Sequence, residues 1–91
     1  MDTVVILGAG SPNGVGGALA RRFASEGLHV VVSGRTQEKV DATALEVVSA
    51  GGSAEGFQAD VTSEPDLDAL FARVASIGNP VAAVVFNAGS N

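Results

Sequence analysis

Val4-Val5-Ile6-Leu7-Gly8-Ala9-Gly10-Ser11-Pro12-Asn13-Gly14-Val15-Gly16 is the stretch that decides the fold. A β-branched apolar run enters a glycine-rich turn and leaves it as a helix. Residues 3–7 read as a strand buried on both faces, because the apolar run is uninterrupted rather than alternating with polar residues. Past the turn, Val15, Leu19 and Phe23 recur every four residues, with Arg21, Arg22, Ser25 and Glu26 mostly off that stripe. That spacing predicts an amphipathic helix. Gly27 is placed to end it.

Working outward, residues 28–32 read as a second buried strand, with Ser33-Gly34-Arg35-Thr36 as the turn after it. Thr36 is suited to cap a second helix carrying Glu38 in its first turn. Val40, Ala44, Val47 and Val48 give that helix a core face, and Gly51-Gly52 closes it. Residues 54–59 read as a third strand, interrupted by Gly56. Asp60-Val61-Thr62-Ser63 is a loop, and Ser63 is a good N-cap with Pro65 in the first turn behind it. Leu67, Leu70, Phe71, Val74 and Ile77 form a helical stripe, Gly78-Asn79-Pro80 a turn, and residues 81–86 a fourth strand running into Asn87-Ala88-Gly89. The order βαβαβαβ predicts a parallel α/β sheet with right-handed crossovers. No linker or composition shift divides residues 1–91, so one domain is expected. The fourth strand is almost wholly apolar, yet the sequence stops at Asn91 just after it. An apolar strand left at a sheet edge exposes unpaired backbone, so the expectation is the front part of a larger protein.

Composition narrows the partners. The 91 residues carry a formal charge of −5 and no basic run beyond Arg21-Arg22, which argues against nucleic acid and against an anionic membrane surface. There is no cysteine, hence no disulfide and no thiolate metal site. Met1-Asp2-Thr3 lacks the basic flank of a secretory signal, and no apolar stretch reaches membrane-spanning length. A cytoplasmic protein is the expectation. His29 is the single histidine, so no metal site is expected. Glu64, Asp66 and Asp68 open the third helix, where they favour its dipole, and make no catalytic pair.

The glycine turn carries the chemistry. A turn between a buried strand and a helix presents backbone N–H groups to a dinucleotide pyrophosphate. The spacing G-x-G-x-x-G would use Gly8 and Gly10 but meets Asn13 where its third glycine belongs; G-x-x-x-G-x-G is satisfied by Gly10, Gly14 and Gly16. Glycines serve there because a Cβ would block the turn, the phosphates or the helix–strand contact.

The run from Gly14 to Gly27 resembles the first helix of the short-chain dehydrogenases/reductases. Gly34-Arg35 after strand two, Asp60-Val61 after strand three and Asn87-Ala88-Gly89 after strand four agree with that family in the same order. The resemblance covers essentially all 91 residues. It implies a Rossmann-type doubly wound sheet, its first four strands in the order 3-2-1-4 and the sheet incomplete. Two departures stand out. The family's turn has Thr before its first Gly, so either Ala9 replaces that Thr or Gly8 is the first glycine and the turn is two residues longer, the reading preferred here. Phe86 also stands where the family has its first Asn.

The resemblance implies a cofactor site: Gly8, Ser11, Asn13, Gly14 and Val15 along the pyrophosphate, Asp60 and Val61 at the adenine, Asn87, Ala88 and Gly89 along the ribose. Asp60 has an alternative role in tightening the loop into the third helix. Arg35 follows Gly34 at the end of strand two, where an acidic residue would bond the hydroxyls of an NAD ribose. No Asp or Glu occurs between Gly27 and Glu38, and Arg pairs with a 2′-phosphate, so NADP(H) is expected over NAD(H). The family's catalytic Ser, Tyr, Lys and helical Asn find no counterparts; the chain has no tyrosine and no catalytic residue is assigned. The complete protein is expected to transfer hydride between NADP(H) and a small carbonyl or alcohol substrate, as a homo-oligomer. Two other classes stay open: a non-catalytic NADP(H)-sensing module, and an assembly fragment that pairs through strand four.

Overall fold

The structure, a computed structural model, describes residues 1–8 and 13–87. The elements are β1 (Thr3–Leu7), α1 (Val15–Ser25), β2 (His29–Gly34), α2 (Gln37–Ser49), β3 (Ser53–Gln58), α3 (Glu64–Ile77) and β4 (Val81–Phe86). The four strands lie in the order β3-β2-β1-β4, and each neighbouring pair is parallel. This is the incomplete Rossmann-type sheet expected. The chain steps outward from β1 through β2 to β3, then returns to place β4 on the other side of β1. Such a reversal opens a crevice at the carboxyl ends of the strands.

Side chains of a strand alternate between the two faces, and here both faces are covered. Val4, Ile6, Val30 and Val32 pack with Ala20 of α1 and with Val40, Ala44 and Val47 of α2. Val5, Leu7 and Val31 pack on the opposite face with Ala59 and with Leu70 and Val74 of α3. The uninterrupted apolar runs of β1 and β2 follow from this double burial. Each fully buried Val, Leu or Ile contributes about 1.5–3 kcal/mol.

Several local expectations shift. α1 buries Gly16, Gly17 and Ala20, while Val15 is 60% exposed. Leu19 and Phe23 are only half-buried against the core. Residues without bulk bring the helix close to the sheet, so its larger side chains flank the contact rather than form it. α2 buries Val40, Thr43, Ala44 and Val47, and Val48 is exposed. At 3.6 residues per turn, Val48 has rotated off a stripe centred on Val40 and Val47. Thr43 keeps its hydroxyl satisfied by donating to the Lys39 carbonyl at 3.1 Å. Thr36 occupies the N-cap of α2 without a side-chain capping bond. Ser63 does cap α3, accepting from the Asp66 N–H at 3.4 Å. β2 continues through Ser33 and Gly34, which extend the strand rather than turn.

β4 forms an edge. Val85 leans on the α1–α2 core. Val84 and Phe86 stand beside Val5 and Leu7, on the α3 face, yet are 49% and 60% exposed, because α3 lies over β1 and β2 and stops short of β4.

Candidate cofactor site

A cavity of about 220 Å³ opens at the carboxyl ends of β1, β2 and β3, lined by Gly8, Gly34, Arg35, Ala59, Asp60, Val61 and Thr62. Three loops meet there because three parallel strands end there. Four of the residues expected to hold the cofactor, Gly8, Arg35, Asp60 and Val61, thus share one cavity. A larger cavity of about 320 Å³ lies at the far end, between the last turns of α1 and α2, away from these residues.

Gly8 leaves β1 with φ +78°, a conformation L side chains rarely adopt. Asn87 closes on it from β4: its N–H continues the ladder to the Leu7 carbonyl at 2.9 Å, and its amide donates to the Gly8 carbonyl at 3.4 Å. Asn13 is exposed and Gly14 half-buried in front of α1. Gly14 is the N-cap, makes no side-chain capping bond, and is followed by no acidic residue in the first turn. α2 and α3 both carry acids there. Among the described residues, then, no N-cap side chain and no first-turn carboxylate occupies the start of α1, the kind of helix end that suits an anion. Ser11, Ala88 and Gly89 lie outside the described residues.

Asp60 is built into its loop. Its Oδ1 accepts from the Thr62 N–H at 2.9 Å and the Thr62 hydroxyl at 2.7 Å. Its own N–H donates to Asp66 at 2.9 Å. The Thr62 hydroxyl and N–H hold the Asp60 carboxyl below the usual carboxylate range, against a small opposing effect of burial, and the Arg35 charge adds to this. The loop-tightening role is present, and Oδ2 makes no hydrogen bond among the described residues. Val61 turns inward to the core beneath α3. The bonds that join Thr62 and Asp66 to Asp60 escaped the sequence reading, although Asp60-x-Thr62 is the spacing of an Asx turn.

Arg35 is exposed at the cavity wall. Gln58 Nε2 donates to its carbonyl at 2.8 Å. No sequence signal marks Gln58, since the contact depends on the register of β2 against β3.

His29 is hydrogen-bonded within the sheet. Its Nδ1 lies 2.6 Å from the Ser53 hydroxyl and its Nε2 lies 3.0 Å from Glu55, at the opposite end of the sheet. No group of potential metal ligands occurs among the described residues, and no described helix is long and apolar enough to cross a membrane.

The short chain dehydrogenase family model matches residues 2–91. Dehydrogenase/reductase SDR family member 4 of Sus scrofa is 37% identical over 91 residues, which are 100% of this chain and 33% of that protein. A single-residue variant of actinorhodin polyketide ketoreductase with NADPH superimposes at a TM-score of 0.88 with 39% identity, over 98% of this chain and 33% of that one. A metagenomic short-chain oxidoreductase in complex with NADP superimposes at 0.87 with 34% identity, over 98% of this chain and 39% of that one. The chain spans about a third of the length of the curated relatives it matches. Agreement that runs from end to end in sequence, and holds strand by strand in space, means that this chain belongs to the short-chain dehydrogenase family.

Proposed function

We propose that the chain is the cofactor-binding portion of an oxidoreductase that transfers hydride between NADP(H) and a carbonyl or alcohol substrate. The observation that carries this reading is the cavity at the strand ends, with Arg35 on its wall and no carboxylate contributed by β2. The residues present fit a nicotinamide dinucleotide. Gly8, Ser11, Asn13, Gly14 and Val15 would take the pyrophosphate, whose charge suits the uncapped start of α1. Asp60 would accept from the adenine amino group through Oδ2, with Val61 beside it. Asn87, Ala88 and Gly89 would follow the ribose. Arg35 would pair with a 2′-phosphate, for which its planar fork is suited.

The two NADP-bound neighbours support the same cofactor class. When bound, the nicotinamide supplies or accepts the hydride. The chain's own residues hold and orient the cofactor. With no tyrosine among the 91 residues, the family's proton-transferring Tyr has no counterpart here, and a substrate pocket belongs to the complete enzyme.

Fluorescence titration with NADPH and NADH tests the preference. Arg35→Asp is expected to weaken NADPH relative to NADH by about tenfold or more, since it removes a charge-assisted pair and adds a like charge to the phosphate. An unchanged ratio would overturn the NADP(H) assignment.

A further inference from the structure

We propose that Gln58 is a positioning residue for cofactor preference, acting from outside the cavity by fixing the backbone of Arg35. This inference rests on the assignment of Arg35 to the 2′-phosphate.

The β2–β3 ladder ends at the pair Gly34 and Gln58. One further backbone bond follows, from the Ala59 N–H to the Gly34 carbonyl at 2.8 Å. Beyond it, the Gln58 side-chain amide does what a backbone N–H would have done, donating to the Arg35 carbonyl at 2.8 Å. The chain then turns at once into α2, whose N-cap Thr36 makes no side-chain capping bond. Arg35 therefore sits between a strand end and a helix start, and a side chain from the neighbouring strand secures its peptide.

Gln58 is not among the residues that line the cavity, and its side-chain bond to the Arg35 carbonyl links it to one that is. Bidentate pairing of a guanidinium with a phosphate is demanding in geometry, and the Arg35 backbone fixes the point from which the side chain reaches. Asp60 stands on the same cavity wall and attracts the same guanidinium.

The test uses two probes, adenosine 2′,5′-bisphosphate and adenosine 5′-monophosphate, titrated calorimetrically into the full chain. Gln58→Met keeps the length of the side chain and removes the donor. It is expected to weaken the bisphosphate about three- to tenfold, the range for one lost hydrogen bond, with the monophosphate unchanged. In an Arg35→Met background the same change should have no effect. Gln58→Ala, read identically, replaces Gln58→Met if circular dichroism shows the latter to be unfolded. If Arg35→Met abolishes the discrimination between the probes and neither Gln58 variant alters it, the positioning role is wrong and the Arg35 assignment stands. If Arg35→Met leaves the discrimination intact, or the unaltered chain binds neither probe, both fall.

Discussion

The carbonyl oxygen of Asn87 lies 2.6 Å from the point where a Cβ on Gly8 would stand. The end of β4 thus occupies the space that a side chain at the mouth of the glycine turn would need. Gly8→Ala meets two penalties, a positive φ and a backbone atom that must move. We expect it to destabilise the fold by about 2–4 kcal/mol in urea unfolding. Asn87→Ala, which removes the long side-chain bond to the Gly8 carbonyl but meets neither penalty, should cost less than Gly8→Ala, about 1–2 kcal/mol. Equal stability of Gly8→Ala and the parent would show that the two strand ends are not locked together.

Gly56 has a comparable constraint in the middle of β3. A Cβ there would stand 2.9 Å from the carbonyl carbon and oxygen of Val40 and from Asp41 Oδ1. The α2 backbone rests directly on the strand. Gly56→Ala is expected to cost about 1–3 kcal/mol, the range for overpacking a site that can yield only by shifting backbone. Gly56→Val, although a better strand former, should cost more. A melting temperature that rises with strand propensity across Gly, Ala and Val would refute the contact.

Gly56 also marks where the sequence stops being legible. As a sequence feature it weakens a strand; its reason is a helix that meets it only after folding. The elements and their order could be read because buried strands and amphipathic helices have different periods. Gly8, Arg35, Asp60 and Val61 could be placed together because parallel strands bring their carboxyl ends to one edge. The role of Val15 could not be read, since its spacing matches Leu19 and Phe23 while the real contact uses Gly16, Gly17 and Ala20. Gln58 was invisible for a similar reason: its partner lies 23 residues away and is a backbone carbonyl.

Two buried hydroxyls lack hydrogen-bond partners among the described residues, Thr3 Oγ1 and Ser33 Oγ. Both residues are fully buried. A buried hydroxyl with no partner costs about 1–3 kcal/mol relative to an apolar group of the same shape. Thr3→Val replaces the hydroxyl with a methyl and leaves no cavity, so it should stabilise the chain by about 1 kcal/mol or more. Ser33→Ala should act in the same direction. Chemical denaturation of the two variants decides the matter, and a loss of stability in Thr3→Val would mean that its hydroxyl is satisfied in solution.

At the amino end of the sheet, Glu55 gathers an ionic cluster that ties β3 to both β2 and α3. It accepts from Arg73 Nε at 2.7 Å and Nη2 at 3.1 Å, and from His29 Nε2 at 3.0 Å. The other ring nitrogen, Nδ1, lies 2.6 Å from the Ser53 hydroxyl. Burial pushes the Glu55 carboxyl up, but the bonds from Arg73 and then His29 outweigh it, and it is held below its ordinary 4.5. A carboxyl with a lower pKa when folded than when unfolded binds protons more readily in the unfolded chain. Its contribution is therefore complete above about pH 4.5 and is lost as the pH falls through the lowered folded value. Glu55→Gln should be less stable than the parent at pH 7 and show a flatter decline of stability below about pH 4.5. Arg73→Met should flatten the same limb in part, because His29 remains. Parallel acid limbs for the parent and Glu55→Gln, measured by urea unfolding from about pH 3 to about pH 7, would remove Glu55 from the acid response.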